Sequence, residues 1–86
     1  MTPLRLIQIR TAIASLLDQT GARLYPESHL FRDLVALRLV VPAITLAEFE
    51  EALRKMELAH QVLRYRSEEE GLKSKLTDEG RAELLT

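Results

Sequence analysis

The first third of the chain carries apolar side chains at helical spacing. Thr2 and Pro3 are typical of a helix start, and Gly21 is typical of a helix end. The buried stripe is predicted to comprise Leu6, Ile9, Ile13, Leu16 and Leu17. The pattern therefore predicts a first helix that buries one face and leaves Leu4 and Ile7 beside the stripe, partly exposed.

A second helix follows a short extended segment. Residues 23–25 are predicted to be extended, because Pro26 biases the residue before it away from helical dihedral angles. Pro26 then begins a helix whose predicted apolar stripe is Leu30, Leu34 and Leu37, with Phe31 and Val35 beside it. Since proline cannot continue a helix, Pro42 requires this one to end near Val40.

The third helix opens with a capping box. The side chain of Thr45 can cap the helix, and Glu48 stands three residues later, where it can reach back to the cap. The predicted buried side chains are Phe49, Ala52, Leu53 and Met56. The outward face carries two acid–base pairs at i, i+4 spacing, Glu50–Arg54 and Glu51–Lys55.

From Gln61 the hydrophobic period changes from helical to two, which predicts a β-hairpin. A four-residue turn over Glu68-Glu69-Glu70-Gly71 would pair Ser67 with Leu72. This register predicts an inner face of Leu63, Tyr65, Ser74 and Leu76. It predicts an outer face of Arg64, Arg66, Lys73 and Lys75, with Arg66 opposite Lys73 and Arg64 opposite Lys75. Thr77 then caps a last short helix through Leu85.

Composition and charge restrict the class of protein. The 86 residues form one domain, 1–86, with 47% hydrophobic residues, no cysteine and a formal net charge of −1. Stability must therefore come from packing, which fits a reducing cytoplasm. The N-terminal segment lacks the pattern of a signal peptide. The longest apolar run, Leu39–Ile44, is interrupted by Pro42, so we expect a cytoplasmic protein without a membrane span.

The predicted order is helix, strand, helix, helix, hairpin, helix. This mainly α fold with a small β-hairpin (α+β) is typical of winged helix-turn-helix domains. The third-helix residues Thr45, Phe49, Ala52, Leu53, Met56 and Glu57 resemble the recognition-helix pattern of MarR-type and PadR-type bacterial transcriptional regulators. The segment from Leu76 to Arg81 resembles the one that closes their wing and opens the next helix. His60 stands where those regulators usually have glycine.

The resemblance implies binding to double-stranded DNA and transcription regulation. The candidate DNA contacts are Arg54, Lys55, Arg64, Arg66, Lys73 and Lys75. Like charges that face each other across a hairpin are destabilising, so the predicted outer face suggests an anionic partner. Neutralisation by carboxylates of the protein itself, from residues 68–70, Glu79 or Glu83, is the alternative explanation.

The negative net charge and the acidic outward face of the third helix favour a different function. Glu48, Glu50 and Glu51 would repel phosphates, and they equally fit a solvated, salt-bridged helix surface. The alternative is a winged-helix module for protein interaction, either a homodimer or an adaptor. Its candidate contacts are the spare apolar side chains Leu4, Ile7 and Leu58.

Catalytic and metal-binding functions have little support in the sequence. The serines lie in no nucleophile motif, and the glycines are too few and scattered for a phosphate-binding loop. His29 and His60 are the only histidines, and they lie in different predicted elements. A zinc site needs three or four ligands, so we expect no enzyme activity, metal or cofactor.

Overall fold

A computed structural model describes residues 1–21, 23–69 and 71–85, which contain four helices and a three-stranded antiparallel sheet. The elements are α1 (Pro3–Gln19), β1 (Tyr25–Pro26), α2 (Glu27–Ala36), α3 (Leu46–Leu58), β2 (Val62–Ser67), β3 (Gly71–Leu76) and α4 (Asp78–Leu84). The strand order is β1-β3-β2. The expected α+β class and element order are confirmed. No helix in the described ranges is long and apolar enough to cross a bilayer.

The core lies where α1, α2 and α3 meet the inner face of the sheet. Its largest fully buried apolar side chains are Ile9, Ile13, Leu17, Leu30, Leu34, Leu53, Met56 and Val62. The predicted stripes of α1 and α3 are therefore confirmed. Leu4 and Ile7 are 67% and 57% exposed, as their positions beside the α1 stripe predict.

Side-chain caps explain why three of the helices begin where they do. The Thr2 hydroxyl accepts a hydrogen bond from the backbone N–H of Arg5 at 3.1 Å. Thr45 and Glu48 form the predicted capping box at the start of α3. The Thr77 hydroxyl accepts from the N–H of Gly80 at 2.8 Å. Each cap satisfies a backbone donor that the first turn of a helix leaves unpaired.

The end of α2 differs from the prediction. The helix ends at Ala36, because Arg38 adopts a left-handed conformation with φ of 51°. The N–H of Leu39 then donates to the carbonyl of Leu34 at 3.3 Å and closes the helix. Leu37 consequently leaves the predicted stripe and is 60% exposed, while Val40 turns back into the core.

The extended segment before α2 also differs in position from the prediction. The extended segment was predicted over residues 23–25, whereas β1 comprises Tyr25 and Pro26. Tyr25 pairs with Ser74 of β3 and Pro26 pairs with Lys73, and this pairing defines β1. The Tyr25 hydroxyl donates to Asp33 of α2 at 2.6 Å and thereby fixes the strand to the helix.

The end of α3 explains how the chain accommodates His60. His60 has a φ of 59°, and the N–H of Gln61 donates to the carbonyl of Met56 at 2.8 Å. This arrangement is the Schellman closure that glycine usually provides. His60 therefore adopts the left-handed backbone conformation that glycine takes up most easily.

The base of the hairpin is fixed by backbone contacts with α4. The N–H of Thr77 donates to the carbonyl of Gln61 at 3.1 Å, and its hydroxyl donates to the carbonyl of His60 at 2.7 Å. Gly80 lies against the same carbonyl of Gln61, which a Cβ at position 80 would approach to 2.1 Å. Gly80 thus allows α4 to lie in direct contact with the start of β2.

Candidate nucleic-acid interface

The predicted register of the hairpin is wrong by one residue. Ser67 pairs with Gly71 and not with Leu72, so Arg66 faces Leu72 and Arg64 faces Ser74. Gly71, with a φ of 76°, belongs to β3 and not to the turn, which shortens the loop between the strands. Glu70, the third residue of the predicted turn, lies outside the described residues. Because side chains alternate along a strand, the one-residue shift moves the side chains of β2 to the faces opposite to those predicted, while those of β3 stay on the predicted faces.

The two faces of the sheet therefore differ from the prediction. The inner face, which covers the core, carries Tyr25, Val62, Arg64, Arg66, Leu72, Ser74 and Leu76. The outer face carries Pro26, Leu63, Tyr65, Ser67, Gly71, Lys73 and Lys75. The four cations expected on one face are divided between two, and Leu63 and Tyr65 are outside, not inside. The predicted face of four cations is therefore wrong, whereas the faces predicted for Lys73, Ser74, Lys75 and Leu76 are confirmed.

Arg64 lies on the inner face because α2 supplies a carboxylate there. Its Nε and Nη2 atoms donate to the two carboxylate oxygens of Glu27, both at 2.8 Å. Ser74, fully buried opposite Arg64, donates its hydroxyl to the same carboxylate. The hydrogen bonds with Glu27 raise the pKa of Arg64 above its ordinary value. This cation is thus used within the fold.

The other residues predicted to contact DNA lie on different parts of the surface. Lys55 pairs with Glu51 at 3.8 Å, as its i, i+4 spacing predicts, and Arg54 is exposed on the same helix. Arg66 is exposed on the inner side of β2, towards the hairpin tip. Lys73 and Lys75 lie half-buried on the outer face. The hairpin therefore does not gather the six predicted cations into one surface.

A cleft of about 770 Å³ separates α3 from the hairpin. Its walls include Met1, Glu27, Ala47, Glu48, Glu50, Glu51, Arg54, Arg64 and Leu72. Carboxylates outnumber guanidinium groups in this lining, and a carboxylate repels the phosphates of a duplex. A phosphate group that entered this cleft would meet these carboxylates.

Glu48 is held in its ionised form by a contact that the sequence analysis missed. Arg5 of α1 donates from Nε and Nη2 to the two oxygens of Glu48 at 3.0 Å and 3.1 Å. These hydrogen bonds, with that from the backbone of Thr45, lower the pKa of Glu48 to about 2. Arg5 and Glu48 are 43 residues apart, so no local pattern in the sequence indicates that they pair.

Apolar surface is concentrated at the connection between α2 and α3. A groove of about 530 Å³ is lined by Leu34, Val35, Ala36, Arg38, Val40, Val41, Ala43 and Ile44. Its rim includes Val41, which is 77% exposed. The predicted spare residue Leu58 is 70% exposed but lies on α3, whereas Leu4 and Ile7 lie on α1. Exposed contiguous apolar surface of this kind is typical of interaction sites.

No protein-family model, no curated protein and no solved structure matches the chain. Within the described ranges, no three histidine or acidic side chains cluster as metal ligands do. The charges and the apolar surfaces of the chain itself are therefore the features that bear on its function.

Proposed function

We propose that this chain is a winged-helix domain that binds other proteins and does not read duplex DNA through α3. The sheet order β1-β3-β2, with α3 directly before the hairpin, supports the winged-helix assignment. The observation that carries the functional proposal is the acidic lining of the cleft beside α3. Glu48 remains ionised there, and the guanidinium of Arg64 is bound by Glu27.

The distribution of apolar side chains supports binding to a protein. Val41 and Leu58 are more than two-thirds exposed, and Tyr65 is 59% exposed. Protein interfaces are enriched in aromatic anchors and have few charges at their centre. Duplex DNA, in contrast, is held mainly by cations placed along its phosphates.

Duplex DNA binding is the second candidate function. It is favoured by the exposure of Arg54 and Arg66 and by the two lysines, Lys73 and Lys75, on the outer face. If those two lysines alone contacted the DNA phosphates, the logarithm of the binding constant should fall with the logarithm of the salt concentration with a slope of about −1.8. The four-cation face predicted from sequence would give a slope of about −3.6.

Fluorescence anisotropy with a labelled duplex at increasing salt tests the proposal. We expect weak binding at low salt with the shallow slope, or none. The neutralising variants Glu50→Gln and Glu51→Gln should then leave binding weak, because removing a carboxylate adds no cation to bind the phosphates. Tight duplex binding that persists at physiological salt would overturn the proposed function in favour of DNA binding.

A further inference from the structure

The strand β2 forms a free edge of the sheet. It pairs with β3 in one continuous register, and in the described ranges no strand lies along its other side. Among the backbone hydrogen bonds that lie outside helices and strands in the same ranges, none involves residues 62–66. A free edge of this kind presents N–H and C=O groups that can pair with another strand.

The opposite edge of the sheet is protected in a way that β2 is not. The strand β1 consists only of Tyr25 and Pro26, and proline has no N–H to donate. Short strands, prolines and bulges are the usual means by which proteins prevent pairing at an edge. The six residues of β2 contain no proline, and their register with β3 contains no bulge. The edge along β2 is therefore the one that can accept a further strand.

The charge of Arg64 does not protect this edge either. A charged side chain on the inner face of an edge strand normally discourages pairing, because pairing would bury it without a partner. Here the guanidinium already has the carboxylate of Glu27 as its partner. Ser74 of the central strand donates to the same carboxylate, so the guanidinium is held on the side of β3. A strand added to the free edge would leave this ion pair intact.

The side chains of β2 are arranged so that the strand can pair with itself. Leu63 and Tyr65 lie on the outer face on either side of Arg64, and they are 55% and 59% exposed. In antiparallel strands, residues opposite each other point to the same face. If Arg64 lay opposite Arg64 of a second copy, Leu63 of each copy would lie opposite Tyr65 of the other. Both apolar contacts would remove surface from water, which is favourable.

The neighbouring registers are less favourable. With Tyr65 opposite itself, Arg64 would face the exposed Arg66 of the second copy, and like charges opposite each other are destabilising. With Leu63 opposite itself, only residues 62–64 of each strand would pair. Registers between these would place an outer side chain of one copy opposite an inner side chain of the other. The pattern thus selects the register that is centred on Arg64.

We propose that two copies of this chain join through antiparallel pairing of β2 with β2, with the two-fold axis at Arg64. The product is a continuous sheet with the strands β1-β3-β2 of each copy, and Leu63 and Tyr65 of both copies form one apolar cluster on its outer face. The contact involves residues 62–66 of each copy and is small, so the dimer forms in a concentration-dependent equilibrium. This self-association goes beyond the proposed function, since duplex binding neither requires nor prevents it.

Sedimentation equilibrium over a concentration series up to about 1 mM tests the proposal. We expect a monomer at low concentration and a dimer at high concentration. Leu63→Lys and Tyr65→Lys should each weaken the dimer at least about tenfold, because each substitution changes both apolar contacts of a symmetric interface.

The matched control is Leu4→Lys, which makes the same change at a 67% exposed position of α1. It adds the same charge to each copy, and it should leave the dimer constant within about twofold. Circular dichroism of each variant shows whether it is folded.

Amide hydrogen exchange measured by NMR tests the register without a substitution. Backbone amides of β2 that point towards β3 should be protected at every concentration. Those that point to the free edge alternate with them, and they should become protected only as the dimer forms.

A chain that remains monomeric throughout the series would overturn the proposal. So would a dimer that tolerates Leu63→Lys and Tyr65→Lys, and a dimer lost in Leu4→Lys alone would place the interface on α1. A monomer whose free-edge amides become protected by an added peptide of alternating threonine and valine would instead assign the edge to a strand of another protein. The duplex titration bears on the proposed function and not on this pairing.

Discussion

The cations on the two faces of the hairpin have different surroundings. On the inner face, the guanidinium of Arg64 meets the carboxylate of Glu27, and both side chains are largely withdrawn from water. On the outer face, Lys75 faces Leu63, which is 55% exposed, and no described strand position carries a carboxylate. A positive charge on a strand therefore does not by itself mark a binding surface. What matters is whether the fold already supplies its counter-charge.

The strongest test of this comparison removes the carboxylate from the inner face. Glu27→Ala leaves Arg64 partly buried without its partner, so the free energy of unfolding should fall by about 2–4 kcal/mol. Lys75→Ala on the outer face should change it by less than about 0.5 kcal/mol. Urea unfolding measures both variants. Equal losses would mean that the two faces do not differ in the way described.

The contact at the base of the hairpin is tested by Gly80→Ala. Helix propensity alone predicts that alanine stabilises α4 by about 1 kcal/mol. The backbone of Gln61 leaves no room for the new Cβ, so we expect destabilisation by about 1–3 kcal/mol instead. Ala82→Gly at an exposed position of α4 gives the propensity effect alone. A stabilised Gly80→Ala protein would show that α4 does not fix the start of β2.

The smallest expected effect is confined to acid pH. The pKa of Glu48 is lowered from an ordinary value of 4.5 to about 2, so its ionised form stabilises the fold above pH 4.5. This contribution is lost as the pH falls from 4.5 through about 2. Thermal melts of Glu48→Gln should therefore depend less on pH in that window than those of the natural protein. Glu50→Gln, which neutralises a carboxylate on the same helix, should retain the pH dependence.

Much of the fold could be predicted because its signals are local. The caps at Thr2, Thr45 and Thr77 and the stripes of α1 and α3 depend on residues within a few positions of one another. The end of α2 was missed because Arg38 adopts a left-handed conformation that residue type does not favour. Pro42 therefore marked where a helix could not continue, not where this one ends.

The register was missed because the decisive partner lies far along the chain. The alternation of Leu63 and Tyr65 with two arginines predicts that the leucine and tyrosine face the core. Glu27 is 37 residues before Arg64, and its carboxylate allows the arginine to take the inner position. The candidate site changed with the register, since the apolar and basic residues of β2 exchanged faces while those of β3 did not.

The hydrogen bonds around Ser74 also determine how the hairpin can move. Ser74 lies in the central strand, between Tyr25 of β1 and Arg64 of β2. Ser74 and Arg64 donate hydrogen bonds to Glu27 of α2, and Tyr25 donates one to Asp33 of the same helix. If the hairpin opened alone, a buried carboxylate would lose its partners. We therefore expect the hairpin and the start of α2 to open as one cooperative unit in amide hydrogen exchange. A ligand on the far side of the sheet then meets a surface that is already ordered, and association loses little conformational entropy there.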